Sequence, residues 1–192
     1  MGKEFELKFL ASPQVLQKIL EEYGDFHGIT METHYYDTPD RKLGALRWTL
    51  RRRLENDCSI CGLKTPGKNL IRGEWEVEDE DMLSGVRKLC RMDVPEGFEE
   101  MVSGGLTEIC GARFLRQAKI LPTADGTAEI ALDQGVFLGG GKEKAFSELE
   151  VELKTGSRAA AEALAGEIAC KYGLKELQIS KFERALQLSQ EA

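Results

Sequence analysis

Acidic and basic residues in this sequence recur at every second position. Glu4, Glu6 and Lys8 alternate with Phe5, Leu7 and Phe9; Arg51 and Arg53 stand opposite Leu50 and Leu54. Glu74, Glu76 and Glu78 oppose Trp75 and Val77, and Glu148, Glu150 and Glu152 oppose Leu149, Val151 and Leu153. A period of two puts each charged row on one face of a β-strand. For a single strand the ordinary explanation is that the charged face meets water and the apolar face meets the core. Repetition of the pattern points further. If the strands close into a barrel with helices covering the apolar faces from outside, the charged rows line the interior. Such a lumen must be wet or ligand-filled, because buried charges are costly unless paired or bound to metal. A polyanion carrying a metal ion fits that chemistry: Arg and Lys hold phosphate oxygens, while clustered carboxylates bind a hard cation such as Mg²⁺ or Mn²⁺.

The elements that must position these rows are legible. Alternation predicts a strand over residues 3–10. Ser12-Pro13 then gives an N-cap and a first-turn proline, and Val15, Leu16, Ile19, Leu20 and Tyr23 recur at helical spacing up to Gly24, so a helix is expected over 13–23. Strands are expected over 30–37, 47–54, 59–64 and 73–78, with a turn at Thr38-Pro39-Asp40. Residues 79–104 break the pattern with two short helices. Strands resume over 112–121, 127–137 and 146–154, and Ser157 caps an alanine-rich helix ending near Tyr172-Gly173. The total is about eight strands.

Composition sets the outer bounds. A chain of 192 residues suits one domain, taken as 1–192 with a helical insert at about 79–104. A net charge of −7 argues against a nucleic-acid partner, which needs a basic footprint. No apolar run approaches the roughly 20 residues of a spanning helix, and the N-terminus lacks a secretory layout, so no membrane partner and a cytoplasmic location are expected. Five cysteines favour reduced thiols, with the lone Cys58/Cys61 pair explained by packing or a turn rather than zinc. The run Gly139-Gly140-Gly141 before Lys142 lies between strands, which makes it a hairpin loop rather than a phosphate cradle. His34 and Tyr35 are read as strand packing in preference to substrate contacts.

The ordered motifs resemble the CYTH domain, also called the triphosphate tunnel metalloenzyme family. Glu4-Phe5-Glu6-Leu7-Lys8 is similar to its opening Glu-x-Glu-x-Lys, and Tyr36-Asp37-Thr38-Pro39 to its tyrosine-aspartate-threonine-proline turn. Leu50-Arg51-Arg52-Arg53, Leu63-Lys64, Arg72-Gly73-Glu74-Trp75-Glu76, Phe114-Leu115-Arg116, Ala131-Leu132-Asp133-Gln134-Gly135, the Glu-rich strand from Glu148, and Ser180-Lys181-Phe182-Glu183-Arg184 follow in the family's order.

The resemblance implies an α+β, mainly β fold: a closed eight-stranded antiparallel β-barrel, the triphosphate tunnel, with helices packed outside. It implies Glu4, Glu6, Asp133, Glu148 and Glu150 as metal ligands, and Lys8, Arg51, Arg53, Lys64, Arg116, Lys181 and Arg184 as phosphate ligands, with Glu4, Glu6 and Lys8 catalytic. Arg72, Glu74, Glu76 and Glu152 are expected in the same tunnel, as phosphate-site residues or as structural ion pairs. The implied cofactor is Mg²⁺ or Mn²⁺. The implied partner is a small triphosphate-containing substrate, inorganic triphosphate first, acted on by a monomer or homodimer. Thiamine triphosphatase, class IV adenylate cyclase and a non-catalytic polyphosphate-binding module are the competing functions.

Overall fold

Helices begin where a side-chain oxygen can take up an orphan backbone N–H. Ser12 accepts from Val15 N at 3.4 Å at the start of α1 (Pro13–Tyr23), and Asp81 from Ser84 N at 2.7 Å at α3 (Met82–Leu89). Ser157 caps α5 (Arg158–Tyr172), and Ser180 forms a capping box with Glu183 at α6 (Lys181–Gln190). Two short helices, α2 (Lys42–Ala45) and α4 (Phe98–Val102), complete the set. The computed structural model describes residues 2–66 and 72–191. The side chains of residues 2–4 and of Arg72 lie outside the described set, so Glu4 is placed by its backbone alone. Among the described residues no helix is long and apolar enough to cross a membrane.

The strands are β1 (Gly2–Glu4), β2 (Glu6–Leu10), β3 (His27–Asp37), β4 (Thr49–Glu55), β5 (Cys58–Thr65), β6 (Arg72–Glu78), β7 (Thr107–Pro122), β8 (Thr127–Gly139), β9 (Lys142–Thr155) and β10 (Lys175–Glu176). They form one antiparallel sheet in the order β1-β6-β5-β4-β3-β7-β8-β9-β2-β10. This corrects the closed eight-stranded barrel. Among the described residues the sheet has ten strands, and no ladder joins its ends. The cause lies at Phe5, where the first extended segment changes partners: Glu4 pairs with Arg72 on β6, whereas Glu6 pairs with Glu152 on β9. Phe5 itself turns into an apolar cluster, its carbonyl accepting from Leu153 N at 3.0 Å. Two residues of chain therefore bring the two sides of the sheet together, and the sheet curls around a cavity without a continuous ladder.

Apolar faces are covered in three places. Leu16 and Ile19 of α1 and Ala161, Ala165 and Ile168 of α5 pack on Phe9, Ile130, Leu149 and Val151. Met82, Val86 and Leu89 of α3 and Phe98 of α4 pack on Leu50, Cys61, Leu63 and Trp75. Each large apolar side chain fully buried here contributes about 1.5–3 kcal/mol. Gly85 lets α3 touch the sheet, since a Cβ there would collide with the Cys61 side chain. Cys61 is thus a packing residue, and burial pushes its thiol up to about 11.

The third cluster is inside. Ala185 and Leu188 of α6 pack on Ala112, Phe114, Phe137 and Phe146, which share strand parity with the charged interior rows. The expectation that helices pack outside is therefore corrected for α6, which fills part of the sheet's interior. The glycine-rich loop is the β8–β9 turn, with Gly140 and Gly141 at φ 58° and 73°. A Cβ on Gly139 would come within 2.7 Å of the Ala185 carbonyl, so the glycine permits the hairpin to lie against α6.

The turn after β3 is organised by Asp37, which is 2% exposed and accepts from the N–H groups of Thr38 at 2.7 Å, Leu43 at 3.0 Å and Gly44 at 3.0 Å. Asp37→Ala strands these donors and is expected to lower unfolding stability by about 3 kcal/mol in urea titration, with Asp37→Asn losing less. No measurable loss from the alanine variant contradicts this role for the turn.

Candidate active site

The sheet encloses a cavity of about 340 Å³ lined by residues of β2 to β9 and of α6. Its wall carries seven Lys or Arg and seven Glu among the described residues. That balance makes the cavity neither a plain anion pocket nor a plain cation cage.

On one wall Arg51 reaches Glu74 at 3.3 Å and Glu76 at 3.0 Å, and Lys64 reaches Glu74 at 3.1 Å. Arg53 pairs with Glu55 and, at 3.7 Å, with Glu76. Burial, followed by the charge of Arg51, pulls the Arg53 guanidinium below its ordinary range, and its buried Nε has no hydrogen-bond partner among the described residues. Glu76 is held below the usual carboxylate range because Arg51 and Arg53 together outweigh its burial. This wall would gain from an incoming anion.

On the facing wall Lys8 meets Glu6 at 2.6 Å. Glu6, Glu152 and Glu129 stand in register across β2, β9 and β8, and Lys154 bridges Glu152 at 3.0 Å and Glu129 at 3.5 Å. Deeper, Arg116 grips Asp133 through two bonds of 2.8 and 2.7 Å and reaches Glu150 at 2.5 Å. The Lys181 ammonium sits 2.7 Å from Asp133 and 2.7 Å from Glu150 and also touches Glu148, which Arg184 contacts as well. Burial works against the Lys181 charge, but Asp133, Glu150 and Glu148 together hold it firmly protonated. Glu150 is buried yet kept well below the usual carboxylate range by Lys181, Arg116 and Lys8. Glu148 is pushed upward by burial, which Lys181 only partly offsets.

Of the residues expected from sequence, Glu6, Lys8, Arg51, Arg53, Lys64, Arg116, Glu150 and Lys181 line this one cavity. Asp133, Glu148 and Arg184 are not in its lining but stand behind it, in contact with Lys181 or Glu148. The Glu4 side chain lies outside the described residues. Glu74, Glu76 and Glu152 line the cavity as well. His34 is on the opposite face of β3, between Glu108 at 2.9 Å and Glu32 at 3.2 Å, while its neighbour Tyr35 lines the cavity and packs on Phe182 at 5.1 Å between ring centroids. Glu129 and Lys154 were missed. Their signal was available: each shares strand parity with a residue already singled out, Asp133 and Glu152.

The carboxylate oxygens of Asp133, Glu148 and Glu150 lie within 4.8 Å of one another, a density of hard donors able to hold a divalent cation. In the structure Lys181 takes that place. Carboxylates reachable from the cavity itself, Glu6, Glu150 and Glu152, supply the same donor type.

Residues 2–186 match the model of the CYTH domain. The chain belongs to the CYTH family. It is 33% identical over 177 residues to an inorganic triphosphatase of Haemophilus influenzae, covering 82% of this chain and 47% of that protein. It thus spans about half the length of that curated relative. The CYTH fold is also similar to that of a putative adenylyl cyclase from Hippeastrum with a dominant triphosphatase activity, at TM-score 0.70 and 20% identity over 96% of this chain and 95% of that one. A protein from Pyrococcus horikoshii OT3 superposes at TM-score 0.66 with 22% identity, covering 96% and 98% of the two chains. A putative adenylate cyclase from Bacillus halodurans gives 0.63 with 19% identity over 94% and 96%. These structural likenesses establish the fold.

Removing the Lys181 ammonium leaves three crowded carboxylates with two cations, Arg116 and Arg184, to balance them. Lys181→Met is expected to lose about 3–5 kcal/mol of stability. Mn²⁺ should then raise its melting temperature more than that of the wild type, as the ion takes the vacated place. An equal or smaller rise would show that the cluster does not accept a cation.

Proposed function

We propose that this chain is a divalent-metal-dependent triphosphatase whose preferred substrate is inorganic triphosphate. The observation that carries the reading is a cavity whose described lining sets cationic side chains against carboxylates in equal number. A triphosphate alone would be repelled by the carboxylates, and a metal ion alone by the cations. A metal–triphosphate complex satisfies both sets.

Glu6, Glu150 and Glu152 would hold the ion from one wall, with Glu4 on the same extended segment as Glu6. Bound there, the ion supplies charge neutralisation on phosphate oxygens and orientation of an attacking water. Arg51, Arg53 and Lys64 grip oxygens from the other wall, and Lys8, Arg116 and Lys181 supply charge between the two. In hydrolysis a water oxygen forms a bond to the terminal phosphorus while the bond from that phosphorus to the bridging oxygen breaks. The bridging oxygen leaves with pyrophosphate, and the water's proton is lost to solvent.

The apolar residues at the cavity favour the small substrate over one carrying rings. Tyr35 and Phe114 are 4% and 8% exposed, and they are engaged by Phe182 and Phe146. They serve the packing of α6, so neither of these two rings offers an open face to a thiamine or adenine ring. The 33% identity to the Haemophilus inorganic triphosphatase supports hydrolysis of inorganic triphosphate.

Phosphate release from inorganic triphosphate, ATP and thiamine triphosphate, each with Mg²⁺, Mn²⁺ or EDTA, tests the reading. Release is expected to be fastest for inorganic triphosphate, to stop in EDTA, and to fall about 100-fold or more in Glu6→Gln and in Arg53→Ala. Cyclic AMP and pyrophosphate from ATP would make the protein a cyclase instead. Tight triphosphate binding with no release would make it a binding module.

A further inference from the structure

Among the three clustered carboxylates, Glu148 differs in where its partners come from. Asp133 and Glu150 are each bound by Arg116 of β7 as well as by Lys181. Both described partners of Glu148, Lys181 and Arg184, belong to α6. Glu148 is 0% exposed and is absent from the cavity lining, so it borders neither solvent nor the cavity. Arg184 lies over the rings of Phe137 and Phe146, at 4.7 and 5.6 Å, and those rings stack on one another at 4.2 Å. Its described ion pair is with Glu148. Beyond it, Ala185 and Leu188 of α6 are buried against the same aromatic residues.

A helix inserted into the interior of a sheet brings its charged side chains with it, and each must meet a fixed opposite charge. We propose that Glu148 is a positioning residue: the buried anion that docks α6 inside the sheet through Arg184 and sets the Lys181 ammonium at the cavity wall, and not a ligand of the catalytic ion. The docking role stands on the geometry alone. Its consequence for substrate rests on the proposed triphosphatase reading, because Lys181 acts on phosphate only if the cavity takes one.

Glu148→Gln and Arg184→Met in the full chain test the assignment by three readouts: amide hydrogen exchange, Mn²⁺ affinity by electron paramagnetic resonance, and steady-state kinetics on inorganic triphosphate. Both variants are expected to exchange α6 amides about 10-fold or more faster while α5 stays protected. Mn²⁺ affinity is expected to stay within about twofold of wild type, and KM to rise about 10-fold with a smaller change in kcat. A loss of Mn²⁺ affinity of about 10-fold in Glu148→Gln but not in Arg184→Met would overturn the assignment and make Glu148 a metal ligand. Unchanged α6 exchange in Arg184→Met would overturn the docking role, and it remains readable even if Glu148→Gln fails to fold. Wild type that releases no phosphate would sink the triphosphatase reading, while the exchange measurement would still decide whether Glu148 docks α6.

Discussion

A charge turned into the interior of a folded chain has to meet an opposite charge, a ligand or water, and the interior of this sheet holds many charges at once. Unpaired, each would cost several kcal/mol, about as much as a domain's whole margin of stability. The arrangement follows from that constraint. Carboxylates and cations alternate around the wall, so that Arg51 lies between Glu74 and Glu76, Lys8 beside Glu6, and Lys181 among Asp133, Glu148 and Glu150. The cost of such pairing is offset by hydrophobic burial on the outer faces of the strands beneath α1, α5, α3 and α4 and by the apolar cluster that α6 makes inside the sheet.

The same constraint links the structure to its chemistry. A wall whose ions are already paired is preorganised, since a metal–polyphosphate complex can exchange for the internal partners without building up net charge. On the proposed reading, cations released from carboxylates would turn to phosphate oxygens, and carboxylates released from cations would turn to the metal. At Arg53 burial and the neighbouring Arg51 charge disfavour the guanidinium cation, and its Nε has no hydrogen-bond partner among the described residues, so a phosphate oxygen brought beside it would relieve both. The α6 helix belongs to this economy too, because it brings Lys181 and Arg184 inside and meets buried acids there.

Much of this was legible in the sequence, for reasons particular to each element. The first helix is bounded by Ser12-Pro13 and Gly24, and α5 by Ser157 and Gly173, all local signals that need no tertiary context. The parity of Arg51, Arg53, Glu148 and Glu150 placed them on common strand faces. The α6 helix escaped notice because Ser180-Lys181-Phe182-Glu183-Arg184 was weighed for its charges, although Ser180 and Glu183 are also a capping box. That this helix enters the sheet is a different matter: periodicity says which side of a helix is apolar and is silent on what meets it. Parity likewise set Glu148 beside Glu150, and only the position of α6 decides that Glu150 reaches the cavity and Glu148 does not. The break at Phe5, which leaves the sheet without a continuous closing ladder, occurs within a strand whose alternation runs on undisturbed.

The central claim is that one interior cavity receives the metal and the triphosphate together. Crystals soaked with Mn²⁺ and a non-hydrolysable triphosphate analogue test it most directly, with the ion located by its anomalous signal. The account predicts Mn²⁺ against Glu6, Glu150 and Glu152, and phosphate oxygens against Arg51, Arg53 and Lys64, inside the sheet. Metal and analogue bound at separate places, or on the outer surface with the interior ion pairs intact, would contradict it.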